Sequence, residues 1–248
     1  MFKAITPKIE DIAKKAPKVI RELENLFDRR VNMYIDYANI KPWATKLGWH
    51  IDLKRLFQFL RSFDTLKTIG LYYGTLQGDL RSEKDIIDFT GFGYNVRTKP
   101  VKIMRLSIDA TSINSTSPDL LKNFIRTPLL RELDIKTIEY LNGKLQEMNK
   151  KGIKYLEDRK CNFDVEIGRD LVIDYEHKEA DCFVLWSGDS DFHDPLHALL
   201  KAGKRVILFA TARRVASELN DLRSEGLLIF DIAKLRNFIC WNRELGRI

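Results

Sequence analysis

Cysteine is scarce in this chain: Cys161, Cys182 and Cys240 are odd in number and far apart. That excludes a disulfide framework or a zinc knuckle and sets the expectation of a reducing, cytoplasmic location. No apolar run reaches the length that spans a bilayer, so no membrane partner is expected. The stretch Met1-Phe2-Lys3-Ala4-Ile5-Thr6-Pro7 holds no apolar signal core. No Gly-x-x-x-x-Gly-Lys loop is present to cradle the phosphates of a nucleoside triphosphate. Internal repeats and low-complexity tracts are absent too. Acidic residues fall short of basic ones, 35 against 42, which leaves a formal net charge of +7. Such an excess favours a polyanionic partner.

What is present is ordinary for a soluble globular protein: 248 residues, 44% hydrophobic and 31% charged. The length suits one α/β domain with additions, or two small domains. The charge is uneven. Residues 97–160 hold fourteen basic residues against eight acidic ones, and so carry most of the excess. If one region meets nucleic-acid phosphates, this is the candidate.

Residues 1–28 read as an N-terminal helical extension. Thr6-Pro7 is a start signal, and Ile9, Ile12, Ala16, Val19, Ile20 and Leu23 recur at helical spacing, with Pro17 dividing the run. A main domain over 30–240 follows. Val31-Asn32-Met33-Tyr34-Ile35-Asp36 is a strand ending in a carboxylate, with Asn39 three residues on. The loop from Tyr37 to His50 carries Lys41, Trp43, Lys46 and Trp49, a candidate base-stacking platform or simply packing. Further strands over 68–73 and 94–97 alternate with helical faces at Leu53–Leu60 and Asp85–Phe89. This alternation predicts a doubly wound, mostly parallel sheet flanked by helices.

An insertion over 102–158 interrupts it, basic and largely helical by pattern. Helix starts are expected at Ser117-Pro118 and Thr127-Pro128, the second running to Gly152. Alternation then resumes with a helix from Asp164 and strands at 182–186, 205–209 and 227–230.

The most informative stretch is Trp186-Ser187-Gly188-Asp189-Ser190-Asp191-Phe192, a tight turn between a buried strand and a helix. In a doubly wound sheet, the ends of the first strand and of the first strand of the second half flank the crevice where ligands bind. That makes Asp36 and Asp189 neighbours, with Asp191 just beyond and Asp164 brought in by its crossover. Acids so grouped repel unless protons or a cation join them. Oxygen donors of this kind suit Mg²⁺ or Mn²⁺, and such an ion is commonly used in phosphodiester hydrolysis. Each acid has a plainer reading as a turn or cap residue. Asp170 reads as structural. His193 and His197 have the spacing of a helical zinc pair but lack a third soft ligand nearby. Lys160 and Arg213-Arg214 read as phosphate contacts or as solvated surface.

Three runs resemble the NYN domain family of the PIN-like nucleases, which includes the LabA-type proteins. They are Asp36-Tyr37-Ala38-Asn39, Lys160-Cys161-Asn162-Phe163-Asp164 with Asp170 beyond, and Ser187-Gly188-Asp189-Ser190-Asp191-Phe192. The resemblance covers roughly 30–100 and 159–232, departing at Cys161, where glycine is usual, and in the long insertion. It implies a PIN-like sheet and a divalent-metal-dependent ribonuclease. Asp36, Asp164, Asp189 and Asp191 would be the metal-binding acids, Asn39 would position water or substrate, single-stranded RNA would be the partner, and a homodimer is implied. The competing class is a non-catalytic RNA-binding or regulatory module on the same fold, for which clustered acids are poorly suited. A haloacid-dehalogenase-type phosphatase needs a second acid where Ala38 stands.

Overall fold

The protein is described here by a computed structural model covering residues 1–40, 48–76, 78–211 and 215–240. Lys41, Trp43, Lys46, Arg213 and Arg214 lie outside the described residues. The chain divides into two units, Met1–Pro100 with Cys161–Ile248, and Val101–Lys160.

In the first unit, α1 (Pro7–Lys15) starts at the Thr6 cap, whose hydroxyl accepts from the Ile9 N–H. Pro17 opens α2 (Pro17–Leu26) one residue after α1 ends, so the proline divides the run rather than bending it. Next come β1 (Val31–Asp36) and α3 (Tyr37–Ile40), one turn of helix where a loop was expected. They lead to α4 (Leu53–Leu60), β2 (Leu66–Thr75), α5 (Leu80–Phe92) and β3 (Asn95–Pro100). In the second unit lie β4 (Lys102–Ser107), α6 (Thr127–Arg131), α7 (Ile135–Lys150) and β5 (Tyr155–Lys160). The first unit then continues with α8 (Asp164–Glu176), β6 (Cys182–Trp186), α9 (His193–Lys201), β7 (Arg205–Ala210), α10 (Ser217–Asp221), β8 (Leu228–Asp231) and α11 (Arg236–Ile239).

Six strands form one sheet in the order β3-β2-β1-β6-β7-β8, every pair parallel. The order reverses between β1 and β6, which is the switch point the alternation predicts. Both central strands are buried along their whole length, as expected of a sheet covered on both faces. Side chains alternate across it. Val31, Met33 and Ile35 join Cys182, Val184 and Trp186 in the core on one face, with residues of α1, α2, α4 and α11. Tyr34 joins Phe183 and Leu185 on the other, with Phe163 and with Ile167 and Leu171 of α8 and Leu196 and Leu199 of α9. Asp36 is two residues beyond Tyr34, so period-two alternation turns it toward the face covered by α8.

The second unit departs from the pattern read in it. Beside the 16-residue α7 it holds a two-stranded antiparallel ribbon of β4 and β5, in register from Lys102 opposite Lys160 to Ser107 opposite Tyr155. Neither strand has the alternation that announces one, and their partners lie some fifty residues apart in sequence. Ser117-Pro118 starts no α-helix, only a 3₁₀ turn at Leu121–Asn123. The long helix expected from Thr127 is cut in two because Asp134 caps α7, its carboxylate accepting from the Thr137 N–H at 2.7 Å. A small core of Leu121, Leu130 and Ile138 holds these pieces together.

Candidate functional site

Asp36 ends β1 and is buried, with 3% of its surface exposed. One carboxylate oxygen accepts from the Asn39 N–H at 3.2 Å, capping α3, and the other from the Ser187 hydroxyl at 3.2 Å. Burial raises its pKa, and the charge of Asp189 adds to that, while its two hydrogen bonds oppose it. Ser187 ties the two strand ends together, since its oxygen also accepts from the Asp189 N–H at 3.3 Å. Reading the sequence assigned no role to this serine, although it stands two residues before Asp189 in the same turn.

Asp189 caps the 3₁₀ turn Ser190–Phe192, accepting from the Asp191 N–H at 3.3 Å. That bond folds the chain so that Asp191 follows Asp189 around the turn. Asp164 opens α8 as its first residue, and the residue in the capping position is Phe163, which makes no side-chain cap bond. Asp164 is therefore not spent on capping. Its Oδ1 is buried without a hydrogen-bond partner. Burial is the main cause that pushes its pKa up to about 6, followed by the negative charges of Asp189, Asp191 and Asp36.

Asp164, Asp189 and Asp191 each offer a carboxylate oxygen, and these oxygens lie within 4.8 Å of one another. Ligand oxygens opposite each other around an ion held at about 2.1 Å are separated by about 4.2 Å, so one small cation fits among them with little movement. The donor set is all oxygen and all anionic, which suits Mg²⁺ or Mn²⁺ and not zinc. The unpartnered Asp164 oxygen points the same way, because a buried anionic oxygen without a donor is costly unless a cation meets it. Asp36 is near enough to interact electrostatically but is not one of the three that converge. Asn39 touches the site through its backbone N–H to Asp36.

The other singled-out residues have different surroundings. Asp170 is buried within α8 and accepts from the Tyr72 hydroxyl at 2.8 Å, from Arg97 at 3.2 Å and from Arg169 at 3.0 Å. It fastens the helix that carries Asp164 to β2 and β3. Asp174, one turn further, accepts from Asn32 at 2.8 Å and from the Tyr34 hydroxyl, fastening the same helix to β1. Lys99 braces the start of α8, paired with Glu166 at 2.8 Å and lying 4.9 Å above the Phe163 ring. His193 and His197 are each met by a carboxylate, Asp194 at 2.9 Å and Glu225 at 2.7 Å, and neither joins the acid group. Trp49 is buried in the core, so it offers no stacking face.

The family model of the NYN domain matches residues 129–225, taking in Asp164, Asp189 and Asp191 and leaving Asp36 and Asn39 outside. The chain is similar to the "Low amplitude and bright protein LabA" of Synechococcus elongatus. The two are 23% identical over 211 residues, 85% of this chain and 87% of that protein. Among solved structures it is similar to a protein of unknown function from Vibrio parahaemolyticus. The TM-score is 0.51 at 14% identity, covering 85% of this chain and 96% of that one. The resemblance drawn from the motifs is thus a similarity over part of the chain: the NYN family model matches residues 129–225, taking in the runs at 160–164 and 187–192 and not the run at 36–39.

Proposed function

We propose that this chain is a divalent-metal-dependent ribonuclease that hydrolyses RNA phosphodiester bonds, with Asp164, Asp189 and Asp191 holding the ion and Asp36 beside them. The observation that carries the reading is the convergence of three carboxylates around a buried Asp164 oxygen that no donor satisfies. NYN domains act on nucleic acid, and the match spans the three acids.

When bound, Mg²⁺ or Mn²⁺ would supply charge neutralisation at the scissile phosphate and a lowered pKa for water. The chain's own residues do the rest. Ser187 and the Asn39 N–H hold the Asp36 carboxylate fixed at the strand end. The Asp189 cap sets the path of the turn and so the place of Asp191. The Asp170 and Asp174 networks lock α8, and with it Asp164, against the sheet. Preorganisation of this kind is what lets a site act without rearranging during the reaction. The Asn39 side chain is assigned to positioning water or substrate. No helix among the described residues is long and apolar enough to cross a membrane.

The test is cleavage of a labelled single-stranded RNA with Mn²⁺ or Mg²⁺ and with chelator, beside an Asp189→Asn protein purified identically. We expect cleavage that needs the ion and is lost in the variant. Cleavage by both proteins alike would remove the assignment. RNA binding by both without any cleavage would move the protein to the non-catalytic class.

A further inference from the structure

Helices α4 and α5 give the core Leu53, Leu56, Phe59 and Leu60 from one and Ser82 and Phe89 from the other. Side chains that the core does not take line a cleft of about 530 Å³ between the two helices. Lys54, Phe57 and Gln58 come from α4, at the i, i+3, i+4 spacing that puts side chains on one face. Ile87, Asp88, Gly91 and Phe92 come from α5 at a matching spacing. A volume of this size lies within the range of small-ligand sites, about 300–1,000 Å³.

The cleft is left open and unmet by the chain itself. Gly91 is a helical residue with nothing within 4 Å of where a Cβ would stand, so no close approach inside the chain requires glycine there. Ile87 on the same helix is 71% exposed, an apolar side chain without cover. Lys54 and Asp88 bring opposite charges to one cleft. Among the described residues neither forms an ion pair or a side-chain hydrogen bond, and the Gln58 amide makes none either. The Lys54 Nζ stands 5.9 Å from the centre of the Phe92 ring, so an aromatic face lies beside the charge.

We propose that this cleft binds a nucleobase, stacked on the Phe92 ring, with the Lys54 ammonium meeting an acceptor on its edge, the Asp88 carboxylate a donor, and the Gln58 amide either. Complementarity selects this occupant. An apolar side chain of a partner protein would cover Phe92 and Ile87 but leave a cation, an anion and an amide unmet, which is costly once water is displaced. A nucleobase is flat enough to stack on an aromatic ring and carries donors and acceptors side by side on its edge. The base of a free nucleotide and the base of a strand share this chemistry. The cleft and the acid group have no residue in common, so the proposal goes beyond the ribonuclease reading and holds whether or not the chain cleaves RNA.

The test follows the Ile87 methyl resonance by NMR in the isoleucine-labelled full chain, in chelator so that no ion draws phosphate to the acids. The four nucleoside 5′-monophosphates and a short single-stranded RNA are titrated to millimolar concentration, beside ribose 5-phosphate and N-acetyltryptophanamide. A stacked base is expected to shift the Ile87 resonance saturably. A response to the mononucleotides assigns the cleft to a free nucleotide, and a response to the RNA alone assigns it to a strand; either supports the proposal. Lys54→Gln and Asp88→Asn are each expected to weaken binding by about tenfold, as for loss of one charged hydrogen bond. Gly91→Leu fills the cleft and should abolish binding. Lys54 is exposed, so Lys54→Gln still reports if melting shows that Gly91→Leu does not fold. An Ile87 resonance unmoved by every base-bearing ligand would overturn the proposal. So would an equal response to ribose 5-phosphate, which means attraction of phosphate alone, or to the tryptophan amide, which means an aromatic side chain of a partner. Binding undiminished in the folded variants would also overturn it, since the base would then sit elsewhere.

Discussion

Asp164 concentrates the conflict in this molecule into one side chain. Its carboxyl, raised to about 6, holds in the folded state a proton that the unfolded chain releases near its ordinary value of 3.8. Folding therefore loses stability from this group as pH rises from about 4 to 6, and the full penalty is present above 6. Discounted for partial exposure, the penalty is on the order of 1 kcal/mol. Asp164→Asn in chelator at pH 7.5 should accordingly raise the melting temperature by about 2–4 °C, with the gain gone at pH 4. Mn²⁺ should raise the melting temperature of the wild type and leave that of the variant nearly unmoved. Thermal melts across pH, with and without the ion, check both statements. An unchanged or lowered melting temperature for the metal-free variant at pH 7.5 would mean that the acids do not strain the fold. The acids themselves could be found in the sequence because Asp36 ends a strand, Asp189 follows glycine in a tight turn with Asp191 two residues on, and Asp164 stands where a helical pattern begins. Ser187 could not, because a buried serine reads the same whether or not its hydroxyl bridges two strand ends.

At the scale of single elements, α5 ends where Gly93 takes a φ of +108°, which L-residues with a side chain rarely adopt. A Cβ there would also meet the Phe57 ring at 2.5 Å, and that ring packs edge-on against Tyr94 at 5.0 Å. Gly93→Ala is expected to cost about 2 kcal/mol, a drop in melting temperature of about 4–8 °C. Gly91 lies within the same helix with open space around its Cβ position. Gly91→Ala should stabilise by about 0.5–1 kcal/mol. Melting the two variants side by side tests the distinction, and equal effects would refute it. Elements of the parallel sheet were legible because most of its strands are short apolar runs; β3, Asn95–Pro100, is not one and was expected only over 94–97. β4 and β5 were not, because Tyr155-Leu156-Glu157-Asp158-Arg159-Lys160 has no apolar alternation and its partner strand lies some fifty residues away in sequence. The break before α7 was hidden for a related reason: the helical spacing continues straight through Asp134, and only the capping bond reveals the interruption.

For the whole molecule, the chain leaves the first unit after Pro100 and returns to it at Cys161. Lys102 and Lys160 are paired across the ribbon, so the two ends of the second unit stand about 5 Å apart. Replacing residues 102–160 by a short Gly-Ser linker should therefore leave a folded first unit that still melts cooperatively and still responds to Mn²⁺. Circular dichroism with melts in chelator and in Mn²⁺ would check this. Loss of cooperative melting would show that the second unit is required for folding.

The three converging acids also share an origin in the chain: all lie between Asp164 and Asp191, within one helix–strand–turn segment. Asp36 arrives from a strand well over a hundred residues earlier. Bringing the three together closes only a modest loop, whereas adding Asp36 requires the distant strand to dock. An ion can thus be captured before the sheet is complete, and its stabilisation will be felt at the barrier as well as in the native state. Stopped-flow refolding should accordingly be faster in Mn²⁺ than in chelator, while an effect confined to the unfolding rate would mean that the acids assemble last.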